Sequence, residues 1–490
     1  MKNKNLIIGI LILAISFSSC KKRFEKMNTN PNNPESVPAQ MILPSIILSA
    51  AHVVQLNAGL NICDQWIQHT KSTTYMDEDR YKARADRMDA VWSGLYTGAF
   101  EDCIQAYKRA GTDKRPNLQA MALIMKAYVG YNLAVMFGDV PYSKAGLGHE
   151  GVIAVPYDSQ SSVFNSCISD LDQALGLLDT NSVFASDQLS SYDLLYGGDV
   201  KKWKKFANGI KIRIFLTMTT GGTNKISDIN SIIASGDVFS SSGDDAALHY
   251  LASPSTNANP VYMWVNPNSD RRDDYRLSNS LVDLMMGSSS DSANPADPRL
   301  KIYGDPNING LYVGGQNGVT GGQDDNCMLG SNFYNPTSPF YFMSYSELLF
   351  IISEMDTTNQ VNYEAAVTAS FLQNGLTVTD ATTMLADAKF AFNASYSGRL
   401  IGEQKWVSLY GQGVEAFTSW RRSGYPQLAP ASGGATVTGF IPRRIAYNSD
   451  EKSLNSGNVN TGISGLSPAD DRISSKVWFD RTHADSRGNK

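Results

Sequence analysis

The chain has 490 residues, of which 42% are hydrophobic and 18% charged, with 7 Trp, 23 Tyr and 19 Phe. This composition excludes a disordered chain, because disordered segments lack the apolar and aromatic residues that build a core. The 42 basic and 47 acidic residues give a net charge of −5, so there is no cationic field to attract phosphate groups, and we expect no nucleic-acid partner.

The first predicted element is an export signal. Two lysines precede an apolar run from Leu6 to Phe17, and two serines then lead to Cys20. The run is shorter than the roughly 20 residues that span a bilayer, which predicts a signal peptide over residues 1–19. A cysteine directly after small residues is typical of a bacterial lipoprotein cleavage site, so we expect Cys20 to carry the lipid, palmitate included. The alternative is an ordinary secretory signal in which Cys20 has no role.

Residues 20–38 are polar and rich in Asn and Pro, which predicts a flexible tether. Beyond them, apolar residues recur at the i, i+3, i+4 spacing of amphipathic helices. Pro116 and Gly138 bound a segment that is apolar on more than one face, which indicates a central helix, and Asp158 is a candidate N-cap. Helices are predicted near residues 39–58, 60–71, 88–111, 116–138, 158–178, 200–219, 344–356, 361–374, 380–392 and 403–422.

Residues 236–342 interrupt this pattern. Gly, Ser, Asn, Asp and Pro dominate, no helical periodicity is visible, and the segment is too long for a simple connection, which indicates a functional role. We therefore predict a mainly α fold: a tetratricopeptide-like scaffold of helical pairs with a large irregular, loop-rich lobe. Residues 39–490 are expected to form a single domain.

Two kinds of motif suggest catalysis or cofactor binding, and neither has the required context. The glycines at 146, 148 and 151 match a dinucleotide fingerprint, but no strand precedes them and no helix follows. Acidic clusters lie at 77–79, 270–274 and 324–325, whereas a glycosidase needs two carboxyl groups about 5–10 Å apart, which sequence cannot place. We expect no cofactor, no metal and no enzymatic activity, and a lipid-anchored glycoside hydrolase is the alternative.

Arginine pairs at 421–422 and 443–444 are expected to be structural ion-pair partners rather than ligand contacts. Cys103 and Cys167 lie on apolar faces of predicted helices and are expected to be buried free thiols. The sequence leaves open whether any disulfide forms among Cys63, Cys103, Cys167 and Cys327.

Segments spread along the chain, in the same order, resemble the SusD/RagB-like family of outer-membrane lipoproteins: residues 24–34, 137–142, 156–160, 171–175, 297–300, 345–349, 415–426, 442–447 and 476–480. The Arg-Arg-x-Gly-Tyr-Pro segment at 421–426 resembles one branch of that family. The resemblance implies a fold with four tetratricopeptide-like pairs and a noncatalytic role at the cell surface. It also implies delivery of a nutrient, most often an oligosaccharide, to a SusC-like TonB-dependent barrel. A peptide ligand is the alternative.

The ligand site is predicted from chemistry, since no glycan site of the family matches residue by residue. Sugar rings pack their C–H faces on exposed aromatic rings, while their hydroxyl groups need polar partners. We favour Trp264, because a Trp among Asn, Pro and Ser has few apolar neighbours to bury it. For Trp66 the alternative is that the side chain is an ordinary core residue. The predicted ligand-binding residues are Trp264, Tyr262, Trp66, Tyr75, Tyr312 and Tyr334.

Overall fold

The computed structural model describes residues 37–179, 189–265, 272–434 and 439–480. The predicted signal peptide, Cys20 and the predicted tether up to residue 36 lie outside the described residues. In chain order the helices are α1 (Ala39–Trp66), α2 (85–112), α3 (Pro116–Phe137), α4 (Gln160–Leu177), α5 (Val200–Thr220), α6 (Ile226–Ala234), α7 (Pro260–Trp264), α8 (Asn279–Met286), α9 (Leu300–Tyr303), α10 (Tyr345–Met355), α11 (Gln360–Gln373), α12 (Val378–Leu385), α13 (Ser397–Ser408), α14 (Gly413–Ser423), α15 (Ser449–Leu454) and α16 (Ser456–Ser464).

Helices α1 to α5 pack against one another in chain order. Pro116 begins α3, and Gly138, with a φ of 96°, ends it. By length and composition α1 and α3 could each cross a membrane, but 94% of the apolar window of α3 is buried inside the fold. The predicted central helix is therefore confirmed, and α3 is a core helix that is buried because apolar residues occupy all its faces.

Helices α10 to α14 form a second helical group. Helix α10 packs against α11 and α13, and a small separate core fills the space between these helices. Helix α14 packs against α13 and also against α1, which joins the second group to the main core. The prediction of a mainly α scaffold of packed helical pairs is confirmed.

Several helix boundaries differ from the prediction. Helix α1 continues through the predicted break near residue 59, because a π-helical stretch at Val53–Cys63 keeps the chain helical. The predicted helix at 403–422 is divided at Gly411, whose φ of +82° ends α13 in a turn. Ser159, not Asp158, caps α4: its hydroxyl accepts from the Ser162 N–H at 3.3 Å, while Asp158 accepts from two N–H groups of the 142–143 turn.

The prediction of no helix across residues 236–342 is wrong, since α7, α8 and α9 lie there, too short to show periodicity in the sequence. The antiparallel strands are β1 (Thr70–Ser72), β2 (Ala246–Leu248), β3 (Tyr275–Leu277), β4 (Gly304–Asp305), β5 (Met328–Leu329) and β6 (Phe340–Met343), arranged as a four-stranded sheet β1-β3-β5-β4 and a pair β2-β6. In the larger sheet Ser72 pairs with Tyr275. This register places the loop after β1 beside the residues that precede β3.

Both arginine pairs are structural, as predicted. Arg422 contacts Glu354 at 2.8 Å, Arg444 contacts Asp471 at 2.5 Å, and Arg443 pairs with Asp480. Arg421 has a different partner from the expected carboxylate: its guanidinium carbon lies 3.9 Å from the centre of the Phe417 ring, which is a cation–π contact. These contacts tie the C-terminal segments to the helices.

The four cysteines in the described part of the chain are free and buried. For Cys103 and Cys167 this confirms the predicted buried thiols. Burial raises the pKa of the Cys327 thiol to about 11, so this thiol is protonated and unreactive at neutral pH.

Candidate functional site

Two of the predicted ligand-binding aromatics, Tyr75 and Trp264, come together around Arg272. The Arg272 guanidinium carbon lies 5.0 Å from the centre of the Tyr75 ring, 5.4 Å from that of Trp264 and 5.1 Å from that of Tyr275. Arg87 lies 5.3 Å from the Trp264 ring centre. These distances are in the range of cation–π contacts. We call these five residues the aromatic–arginine cluster.

The cluster is held in place by the β1–β3 pairing and by the short helix α7. Tyr275 opens β3, and its hydroxyl donates to Asn61 Oδ1 at 2.7 Å and accepts from Trp264 Nε1 at 3.4 Å. Arg272 Nε donates to Asp274 Oδ1 at 2.7 Å, and its Nη2 also bonds this carboxylate. A bidentate pair of this kind fixes the plane of the guanidinium group.

Exposure differs sharply within the cluster. Tyr275 is buried, Trp264 is half-buried, and Tyr75 is 66% exposed. An exposed ring that is held against a fixed guanidinium offers an apolar face with hydrogen-bond donors beside it. This combination suits a sugar ring, which presents both C–H faces and hydroxyl groups.

Two acidic residues beside the cluster, Glu78 and Asp77, have cationic neighbours. Glu78 lies 3.8 Å from Arg84 and 3.7 Å from Arg87, and burial raises the pKa of its carboxyl group. Asp77 contacts Lys82 at 3.0 Å. Within the described ranges, no group of three or more His, Cys, Asp or Glu side chains could hold a metal ion.

A groove of about 300 Å³ adjoins the cluster, lined by Thr74, Tyr75, Met76, Asp77, Arg80, Lys82 and Thr320. The 317–320 loop contributes Thr320 to this lining. Arg80 Nε donates to the Gly318 carbonyl at 2.8 Å, and the Asp79 carboxylate accepts from the Gly318 N–H at 2.6 Å. Asn317 Nδ2 also donates to Asp79, at 2.6 Å. The loop is thereby fixed to the segment that carries Tyr75.

The structure places Trp66 in the core. Its side chain is fully buried, and its ring makes an edge contact with Phe417 at 5.7 Å between ring centres. A ligand at the surface has no access to this ring, so Trp66 is a core residue and leaves the candidate site. The cause is tertiary: α14 packs over this end of α1.

Tyr312 and Tyr334 have partners outside the aromatic–arginine cluster. Tyr334 donates from its hydroxyl to Asp305 Oδ2 at 3.0 Å, and burial with the Asp305 charge raises the pKa of Tyr334 to about 12. Burial is the main cause that raises the pKa of Tyr312, and the nearby Cys327 and Asp305 groups raise it further. Across the described residues, no ring contact or hydrogen bond joins Tyr312 or Tyr334 to the aromatic–arginine cluster. Tyr262 is half-buried on α7, two residues before Trp264.

Sequence reasoning missed Arg272, Arg87 and Tyr275. A local signal for Arg272 was present, because this cation stands three residues before a tyrosine in the aromatic-bearing lobe. No local signal relates Arg87 to Trp264, since these two residues are separated by most of the N-terminal helices.

The aromatic–arginine cluster therefore lies where the loop-rich lobe meets the segments that carry Tyr75 and Arg87, on a scaffold of helical pairs. The chain belongs to the SusD-like family described as "Starch-binding associating with outer membrane", which matches residues 31–448. The resemblance seen in the sequence is confirmed.

Solved structures share this fold. A chitin-binding protein is 24% identical with a TM-score of 0.77, covering 90% of this chain and 99% of its own. A chitin-binding SusD homologue from Flavobacterium johnsoniae is 23% identical with a TM-score of 0.73, covering 92% and 98%. A SusD homologue from Bacteroides uniformis is 21% identical with a TM-score of 0.77, covering 91% and 99%. We found no significant match among curated proteins.

Proposed function

We propose that this protein is a noncatalytic surface lipoprotein that captures a neutral oligosaccharide at the aromatic–arginine cluster. In this proposal it passes the glycan to a TonB-dependent, SusC-like barrel. The observation that carries the proposal is the exposed Tyr75 ring, held 5.0 Å from a guanidinium that Asp274 fixes in place. The family description and the chitin-binding proteins of the same fold support a glycan as the ligand.

Binding is favoured over hydrolysis by the charges around the cluster. Asp274 is bonded to Arg272, Glu78 lies between two arginines, and Asp77 contacts Lys82. A glycosidase needs one carboxyl group as an acid and a second as a nucleophile or base. Asp274 and Asp77 are each hydrogen-bonded to a cation, which supports a structural role for these two carboxylates.

The binding site is tested by Tyr75→Ala. Loss of the exposed ring is expected to weaken binding of chitohexaose or maltohexaose, whichever the wild type binds, by roughly two- to tenfold, because an aromatic contact contributes roughly 0.5–1.5 kcal/mol beyond the area it buries. Isothermal titration calorimetry measures the change, and the melting temperature should remain close to that of the wild type.

A matched control is Tyr396→Ala. Tyr396 is 37% exposed and lies 4.7 Å from the Arg399 guanidinium carbon, so it reproduces the tyrosine–arginine pair at another surface. Its loss should leave binding unchanged. Equal affinities of wild type and Tyr75→Ala for the bound glycan contradict the proposed site, and a wild type that binds neither hexasaccharide but binds peptides supports the peptide alternative.

The anchor and the location are tested separately. Cys20→Ala should abolish lipidation and release the protein from the membrane fraction, because a multi-chain anchor is stabilised by about 0.8 kcal/mol for each buried CH₂ group. Fractionation followed by mass spectrometry of the N-terminal peptide measures this. Membrane retention of the variant, with no acyl mass on the wild type, contradicts the lipoprotein proposal.

Co-purification of a large β-barrel protein with the wild type tests the transporter partner.

A further inference from the structure

A second cavity lies away from the aromatic–arginine cluster, between the lobe and the α13–α14 turn. Its volume is about 330 Å³, and none of its lining side chains carries a formal charge. Six carboxamide side chains line it: Gln55, Asn332, Asn335, Gln373, Asn374 and Gln412. We call it the amide-lined cavity. Ligand sites in proteins begin at about 300 Å³, which is room for a small ligand or the end of a longer one.

One wall of the amide-lined cavity is aromatic. The rings of Tyr303 and Tyr410 stack with centres 4.6 Å apart, and Phe333 meets Tyr410 edge-on at 4.3 Å. Gly411 makes this packing possible, because a Cβ at this position would lie 2.5 Å from the Phe333 ring. The wall is therefore held by contacts within the protein, so binding would not have to order it.

Two buried amides have hydrogen-bonding capacity to spare. Gln412 is 6% exposed, and its side chain makes no hydrogen bond within the described residues. Gln55 is equally buried; its Oε1 accepts from the Tyr250 hydroxyl at 3.3 Å, whereas its Nε2 has no partner in the same parts of the chain. The unpaired amide atoms face the cavity, where a polar occupant or water completes their hydrogen bonds.

We propose that the amide-lined cavity is a second binding site, for a neutral sugar unit. Carboxamides donate and accept at once, which matches the hydroxyl groups of a sugar, and the aromatic wall matches its C–H face. A charged ligand would meet no counter-charge among the lining residues. An apolar ligand would leave the Gln412 amide unpaired.

This site is structurally distinct from the one at Tyr75. Asn259, which caps α7, donates from Nδ2 to the Ser338 carbonyl at the cavity rim at 2.8 Å, while Trp264 at the other end of α7 belongs to the aromatic–arginine cluster. The two sites therefore lie at opposite ends of one short helix. Each can be altered without changing a residue of the other, so the cavity proposal does not rest on the function proposed for the cluster.

The test measures binding of N-acetylglucosamine and glucose to the full chain by calorimetry, with glucuronate as a charged probe. Gln412→Leu keeps the volume of the side chain and removes its amide. It should weaken binding of the neutral sugar about tenfold or more while keeping or raising the melting temperature, because an unpaired buried amide is removed. Tyr75→Ala should leave this binding intact.

A second variant blocks the cavity. Thr337→Trp places a large ring at the rim, on an exposed residue whose hydroxyl donates to Asn335 Oδ1 at 2.8 Å. Thr358→Trp is its matched control, because the exposed Thr358 hydroxyl donates to Asp356 Oδ1 at the same distance, away from the cavity. In the Tyr75→Ala background, in which the aromatic–arginine cluster does not contribute, Thr337→Trp should abolish binding of the neutral sugar, whereas Thr358→Trp should not. Binding in this background that survives both Thr337→Trp and Gln412→Leu, or a wild type that binds neither sugar, overturns the proposal and leaves a cavity filled with ordered water.

Discussion

Replacement of Arg299 by methionine is expected to lower the free energy of unfolding by about 3–5 kcal/mol, because it leaves a buried charge without its partner. Arg299 and Asp297 are both fully buried. The guanidinium contacts Asp297 through Nε at 3.0 Å and Nη2 at 2.6 Å. It also donates to Ser370 Oγ at 2.9 Å and to Gln404 Oε1 at 2.5 Å. Methionine can fill part of the volume, but it offers none of these donors.

Equilibrium denaturation in urea measures this effect. Arg399→Met is the control, because Arg399 is exposed and lies 3.9 Å from Glu403; an exposed pair contributes about 0–1 kcal/mol. The double variant Asp297→Asn with Arg299→Met should recover part of the loss, since it removes the unpaired carboxylate. A single Arg299→Met variant as stable as Arg399→Met contradicts the interpretation.

The same arginine bears on the domain organisation. It connects the lobe, through Asp297, to α11 through Ser370 and to α13 through Gln404. We propose on this basis that residues 39–490 unfold as one cooperative domain. Calorimetry of the wild type should show a single transition, and cleavage near residue 236 should leave neither half folded. Two independent transitions contradict the proposal.

Local signals predicted the scaffold well. Helix α3 follows from its own residues, since Pro116 begins it, Gly138 ends it, and its apolar faces require burial. Short helices such as α7 were missed because five residues cannot show a 3.6-residue period. The break between α13 and α14 was also missed. It depends on the positive φ of Gly411 and on the packing of Phe333 against this glycine, and neither is visible in the local sequence.

The candidate site was predictable only in part. Tyr75 and Trp264 were predicted from residue type, but their meeting depends on Arg272 and on the pairing of Ser72 with Tyr275, about 200 residues apart in the chain. Trp66 and Trp264 both stand in polar sequence contexts, and only the packing of α14 against α1 makes Trp66 a core residue. The amide-lined cavity gave no sequence signal, because Gln55 and Gln412 belong to opposite ends of the chain.

Asp79 is expected to contribute stability at low pH that is lost as the pH rises from about 4 to about 7. Burial raises the pKa of this carboxyl group from 3.8 to about 7. A folded-state pKa above the unfolded one means that the folded protein binds the proton more tightly. The stabilisation is therefore complete below about pH 4 and is lost as the pH passes about 7, by as much as about 4 kcal/mol. Burial also raises the pKa of Asp245 to about 7, which acts in the same direction.

The position of Asp79 connects this pH dependence to the groove beside Tyr75, because Asp79 accepts from Asn317 and Gly318 of the loop that contributes Thr320 to the groove. Unfolding free energies from denaturant titrations between about pH 5 and about pH 8 should decrease more for the wild type than for Asp79→Asn, which cannot titrate at this position. The change that remains in Asp79→Asn comes from other groups, and burial also raises the pKa of Asp245 and Glu78. Asp77→Asn, at a half-exposed neighbouring position paired with Lys82, should follow the wild type. An Asp79→Asn variant with the wild-type slope contradicts a protonated Asp79 in the folded protein.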